Sequence, residues 1–183
     1  MTGLYSLELV SLFRDELKMC NVKKGETILL FTDHRFPFDY PSIFMAAALE
    51  FEAEPYIVVG PANRVDPVPL SIIEAMKKAN MVIDMTTVPW LYSDAHNEVL
   101  RAGTRVLMCK ESEDKLRRMF PNKDTISRSE KGAKLLEVGK NIRIKSDVGT
   151  DLVLDKTGRK AASQTGISAE PGEWDNWPSG LVS

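Results

Sequence analysis

Residues able to do chemistry are sparse in this chain, and most of them fall in short loops. His34 stands in "TDHRF" between Asp33 and Arg35, directly after an apolar run. A histidine there suits acid–base work or a substrate contact, and equally a surface imidazole held by its neighbouring acid. His96, in "SDAHNEVLRAG" beside Asn97 and Glu98, reads as solvated on the outer face of a helix. The stretch "TTVPWLYSD" sets Val88, Pro89, Trp90, Leu91 and Tyr92 in a row. Such a cluster can line a flat apolar pocket with a phenol for hydrogen bonding, or it can pack the following helix onto a sheet edge. The tail "SAEPGEWDNWPSGLVS" concentrates Glu170, Glu173, Trp174, Asp175 and Trp177 where most chains are polar and frayed. It is expected to pack against a surface, whether in this chain or outside it.

Several chemistries lack their residues. The two histidines lie on separate elements, with no HExxH, HxD or DxDxDG spacing, so the sequence offers no metal site of its own. No strand is followed by GxGxxG and no GxxxxGKS occurs, which removes the glycine mechanics of a Rossmann or P-loop phosphate site. Cys20 and Cys109 have no CxxC spacing and read as small core residues in a reducing compartment.

These loops must be positioned by regular elements, and apolar periodicity supplies them. Leu9, Leu12, Phe13, Leu17 and Cys20 recur at helical spacing. "ETILLFT", "PYIVVG", "MVIDMT" and "TRVLMC" are short continuous apolar runs, the signature of strands buried on both faces. Helical stretches separate them, and the order predicts an α/β fold: an open, doubly wound, mostly parallel sheet. The loop "PANRVDPVPL" is kept irregular by its prolines. After Lys140 the pattern changes. "NIRIKSDVGTDLVLDKTG" alternates apolar and polar residues about a turn, which is a hairpin. The expectation is an α/β domain over residues 1–140, followed at 141–183 by the beginning of a β-rich second domain, too short to bury a face alone.

The bulk numbers narrow the partners. With 183 residues, 43% hydrophobic and 27% charged, the chain can bury a core. A net charge of −2 gives no electrostatic reason to bind nucleic acid or an anionic membrane. No span is apolar and long enough for a bilayer and no signal peptide opens the chain, so the expected address is the cytoplasm.

Three stretches carry a family resemblance: "DMTTVPWLYSDAHNEVLRAGTRVLM", "RIKSDVGTDLVL" and "AEPGEWDNWPSG". They resemble the N-terminal half of the bacterial 2,5-dihydroxypyridine 5,6-dioxygenases. Those are mononuclear non-haem iron(II) ring-cleaving enzymes of nicotinate breakdown, grouped with aminopeptidase-T-like proteins often labelled leucyl aminopeptidase. The tail is the most specific part, through Glu170-Pro171-Gly172 and Trp177-Pro178-Ser179-Gly180. The resemblance implies a small aromatic N-heterocycle and O2 as substrates and Fe(2+) in the full-length protein. It also implies that the chain's own C-terminal domain is its partner and that the whole protein is a homo-oligomer. The family's ligands, two histidines and an aspartate, lie beyond the tail motif, so none is placed on this sequence. Tyr92 stands where the family has an acid/base histidine. Tyrosine, with an unperturbed pKa of about 10, donates a hydrogen bond readily but is a poor base near neutrality. That substitution leaves His34 as an alternative proton carrier.

Three readings follow. In the first, the chain is one wall of a dioxygenase cleft, with Tyr92 and His34 as candidate catalytic residues and Leu91, Trp90 and Trp177 as candidate substrate contacts. In the second it belongs to an aminopeptidase-T-type metallopeptidase, for which Glu173 in "EPGE" would be a metal ligand. In the third it is a non-catalytic α/β module that binds a small ligand or a partner, displaying Trp174 and Trp177 as an exposed patch.

Overall fold

The computed structural model describes residues 3–62, 68–88, 90–178 and 180–183. Pro89 of the aromatic cluster, Ser179 of the tail motif and residues 63–67 of the proline-bearing loop lie outside the described residues. Helices α1 (Gly3–Met19), α2 (Asp39–Leu49), α3 (Leu70–Lys78) and α4 (Asp94–Arg101) alternate with strands β1 (Thr27–Asp33), β2 (Glu54–Gly60), β3 (Met81–Met85) and β4 (Arg105–Cys109). Then follow α5 (Glu113–Arg118), α6 (Lys123–Val138), β5 (Asn141–Lys145), β6 (Asp151–Asp155), β7 (Ser163–Gln164), β8 (Trp174–Trp177) and β9 (Leu181–Val182).

The main sheet has five strands in the order β2-β1-β3-β4-β8, and every pairing in it is parallel. The expected open doubly wound sheet is therefore present, with one strand more than the apolar runs announced. Both faces are covered. Phe13 and Leu17 of α1 and Phe44 of α2 pack with Ile28, Leu30, Met81, Ile83 and Leu107 on one side. Ile73 and Met76 of α3 and Val99 of α4 pack with Leu29, Phe31, Val82 and Val106 on the other. Alternate residues of each strand thus feed opposite cores, which is why the strands read as continuous apolar runs.

The extra strand corrects the expected place of the tail. Residues 174–177 do not await a partner outside this chain. They extend the sheet beyond β4, with Val106 opposite Trp174 and Cys109 opposite Trp177. Three positions apart on a strand, the two tryptophans face opposite sides. Trp174 joins the α4 face, whereas Trp177, 1% exposed, lies edge-on to Phe13 and Phe120 at 5.6 and 5.8 Å between centroids. Among the described residues the tryptophans form no exposed patch. The hairpin is as expected: β5 and β6 pair antiparallel with Ile142 opposite Leu154 and Ile144 opposite Leu152.

Candidate active site

The strand order reverses between β1 and β3, since β2 lies on one side of β1 and β3 on the other. In open sheets of this kind ligands bind outside the carboxyl ends of the strands at that reversal. The residues leaving β1 and β3 therefore mark the crevice.

Asp33, the last residue of β1, ties those two exits together. Its Oδ2 accepts from the backbone N–H of Thr87 and from the Thr87 hydroxyl at 2.8 Å. Its Oδ1 accepts from the N–H groups of Arg35 at 3.0 Å and Phe36 at 3.3 Å. Burial pushes this carboxyl upward, but the Thr87 hydroxyl and the backbone donors outweigh it and hold Asp33 below its ordinary value. His34 follows and is exposed, and its Nδ1 accepts the Ala62 N–H at 3.1 Å, joining the exits of β1 and β2. With Nδ1 used as an acceptor, Nε2 is the atom left to solvent or ligand.

On the α4 side of the sheet lies Asp84 of β3, whose side chain is fully buried. Its Oδ1 accepts from the Thr86 N–H at 3.0 Å and the Thr86 hydroxyl at 2.7 Å, and its Oδ2 pairs with Lys110 Nζ at 2.8 Å. The sequence reading passed over this pair. An aspartate inside the apolar run "MVIDM" was the signal, because a buried acid requires a partner.

The loop from β3 to α4 carries the aromatic cluster. Ser93 caps α4, its Oγ accepting from the His96 N–H at 3.2 Å and donating to the Trp90 carbonyl. Tyr92 precedes the cap with φ +63°, a backbone region that costs a bulky residue about 1–2 kcal/mol. The residue is 74% exposed, and its ring lies edge-to-face on Trp174 at 5.3 Å between centroids. Leu91 is half-buried beside it.

His96 overturns its expected placement. It is 1% exposed and surrounded by three rings in edge-to-face geometry: Trp90 at 5.4 Å, Trp174 at 5.5 Å and Tyr92 at 6.5 Å. Helical angle decides this, since His96 falls three positions before buried Val99 on the inner face of α4. Its polar sequence neighbours belong to other faces of the helix. Burial holds the imidazole below its ordinary value, with the charge of Asp84 acting against that shift.

The structure therefore sorts the expected site residues. Tyr92 is presented to solvent at the sheet's carboxyl edge, and His34 at the neighbouring exit. Among the described residues no hydrogen bond or ring contact joins these two. The expectation that Trp90 and Trp177 offer their rings to a substrate is corrected. Trp90, 3% exposed, packs on Phe31 and His96, and Trp177 fills the opposite core. Glu173 is engaged locally, its Oε2 accepting from the N–H groups of Ala169 at 3.1 Å and Glu170 at 2.9 Å. Among the described residues no group of three or more His, Cys, Asp or Glu side chains could hold a metal ion.

The strand order and the exits of β1, β2 and β3, tied together through Asp33 and His34, define a class: an open doubly wound α/β domain. Within that class, residues 8–183 match the family described as NicX, 2,5-dihydroxypyridine 5,6-dioxygenase, and the chain belongs to that family. The curated 2,5-dihydroxypyridine 5,6-dioxygenase of Pseudomonas putida KT2440 is 27% identical over 191 residues, covering 96% of this chain and 54% of that protein. The solved structure of the 2,5-dihydroxypyridine dioxygenase from the same organism superposes with a TM-score of 0.87 at 26% identity, covering 97% of this chain and 55% of that one. The chain thus spans about half the length of these relatives.

Proposed function

We propose that this chain is the amino-terminal part of a ring-cleaving dioxygenase that opens a hydroxylated pyridine such as 2,5-dihydroxypyridine with O2. The observation that carries the reading is Tyr92. A bulky residue held at φ +63° and 74% exposed, in the loop leaving the carboxyl end of β3, is strain kept where a ligand could reach it. Family membership over residues 8–183 supplies the chemical class. In this reading Tyr92 donates a hydrogen bond to an oxygen of the bound heterocycle, and Leu91 gives an apolar contact beside it. His34, exposed at the exit of β1, is the candidate to carry a proton in this reading.

An iron(II) ion carried by the rest of the whole protein belongs to the proposal, as does a second domain beginning at the hairpin from residue 141. Strand β8 then reaches back to complete the first sheet. A cytoplasmic address and a homo-oligomer complete the proposed picture. No helix among the described residues is long and apolar enough to cross a membrane. The metallopeptidase alternative has less support, because the matching family and relatives are described as 2,5-dihydroxypyridine dioxygenases.

The test is turnover by the protein expressed from the complete gene, reconstituted anaerobically with iron(II) and then exposed to O2. Ring opening of 2,5-dihydroxypyridine is expected, slowed about tenfold in Tyr92→Phe, the loss of one hydrogen bond to the substrate. Absence of turnover in iron-loaded protein, or turnover indifferent to Tyr92→Ala, would overturn the reading.

A further inference from the structure

The cap of α4 is reciprocal, and its partners are unusual. In a common capping box the N-cap hydroxyl accepts the N–H three residues on, while the side chain at that third position accepts the N-cap N–H. Here the first half is present: Ser93 Oγ accepts the His96 N–H at 3.2 Å. The return bond is displaced by one residue. His96 Nδ1 accepts the N–H of Tyr92, at 3.4 Å, and Tyr92 is the residue whose backbone is left-handed.

Three further observations converge on His96. It is 1% exposed, so it does not touch a ligand directly. Its Nε2 has no hydrogen-bond partner among the described residues. Two indoles, Trp90 and Trp174, stand edge-to-face to its ring, and Trp174 is the same indole on which the exposed Tyr92 ring rests. An Nδ1 that accepts must be unprotonated, so the neutral imidazole carries its proton on Nε2. That N–H is buried and makes no hydrogen bond among the described residues. A buried histidine with one nitrogen unpartnered is a costly way to fill space. A leucine or phenylalanine would pack there without that cost. What only an acceptor at the Nδ1 position provides is the bond to the Tyr92 N–H.

We propose that His96 is a positioning residue: through Nδ1 it holds the left-handed turn at Tyr92 and so sets the phenol ring against Trp174 of β8. The loop is thereby fixed from the buried side, which leaves the exposed phenol free for a ligand. The contribution to ligand contact rests on the function proposed above, whereas the positioning is a property of the free chain and is tested without ligand.

The experiment uses the different placement of polar atoms in asparagine and glutamine. Asparagine sets its side-chain oxygen near the site of Nδ1, and glutamine sets its amide near the site of Nε2. Amide hydrogen exchange at Tyr92, and ring-to-ring nuclear Overhauser contacts between Tyr92 and Trp174, are measured in this chain and in His96→Asn, His96→Gln and His96→Phe. The expected result is that His96→Asn keeps both the slow exchange and the ring contact. His96→Gln and His96→Phe should lose the ring contact and exchange Tyr92 about tenfold faster, the effect of deleting one acceptor. The contact between Phe31 and Trp90 serves as the folding control, and a variant that loses it is read through the other two. Unchanged Tyr92 exchange and an unchanged ring contact in His96→Gln or His96→Phe would overturn the proposal, as would their loss in all three variants while the control contact persists.

Discussion

Two buried acids show how far a side chain's state follows from its donors. Asp33 and Glu16 are both almost wholly shielded from water, at 3% and 0% exposed. Asp33 meets three backbone N–H groups and a hydroxyl, so it is stable as an anion. Glu16 on α1 meets only the Cys20 thiol, at 3.7 Å, and its Oε2 has no partner among the described residues. Burial first, and then the neighbouring charge of Asp175, raise its carboxyl well above the ordinary 4.5, against the thiol hydrogen bond. A folded-state value above the unfolded one stabilises the fold at low pH and is lost as pH rises through the raised value. Asp175 is raised as well, chiefly by burial, and adds the same sign. Glu16→Gln keeps the shape and cannot ionise. Its stability relative to the parent chain should therefore grow by about 1 kcal/mol or more between about pH 5 and about pH 8, measured by urea unfolding. Parallel pH profiles for the two proteins would show that Glu16 is not held neutral.

At the scale of elements, the sequence announced four strands by composition and concealed the fifth. "WDNW" is half polar, and it becomes a strand because Asp175 is satisfied locally, by the N–H groups of Thr165 at 2.7 Å and Gly166 at 3.0 Å. The loop before it is steered by Gly172, whose N–H donates to the Gly103 carbonyl at 3.1 Å. Gly172 has φ +77°, and a Cβ there would stand 2.8 Å from the Leu100 carbonyl oxygen of α4. Both the backbone angle and the close approach exclude a side chain. Gly172→Ala should destabilise the chain by more than about 1 kcal/mol, with loss of the Trp174–Tyr92 ring contact. A thermal midpoint equal to the parent's would mean that the tail docks without this turn. The same logic shows what was legible in the site. Tyr92 and His34 could be found as residues after strands, since position along the chain fixes them at the carboxyl ends. His96 and Asp84 could not, because their importance lies in what surrounds them across the sheet. Trp90 and Trp177 were noticed for being aromatic, yet aromatic residues serve cores as readily as crevices, and only burial separates the two uses.

The whole molecule is unevenly finished. Around the main sheet both cores are closed, but the hairpin of β5 and β6 is not covered on its apolar side. Ile142, Ile144, Leu152 and Leu154 share one face of that hairpin, since paired residues of an antiparallel ladder point the same way. Ile144, Leu152 and Leu154 remain 47%, 46% and 43% exposed. A two-stranded ribbon alone is marginal in water, so this face adds little to the stability of the chain in isolation. In the domain division proposed from residue 141, the face is the first layer of a second core that the remainder of the protein completes. The double substitution Ile144→Thr with Leu152→Thr preserves strand propensity and removes one of the two apolar pairs on that face. In the chain of 183 residues it should change the unfolding free energy by less than about 1 kcal/mol, as half-exposed substitutions do. In the protein expressed from the complete gene it should cost more than about 2 kcal/mol, as large-to-small changes in a closed core do. Equal small effects in both proteins would leave the hairpin face solvated in the whole molecule and sink the proposed division at residue 141. A large effect in the shorter chain would place the hairpin inside the first domain instead.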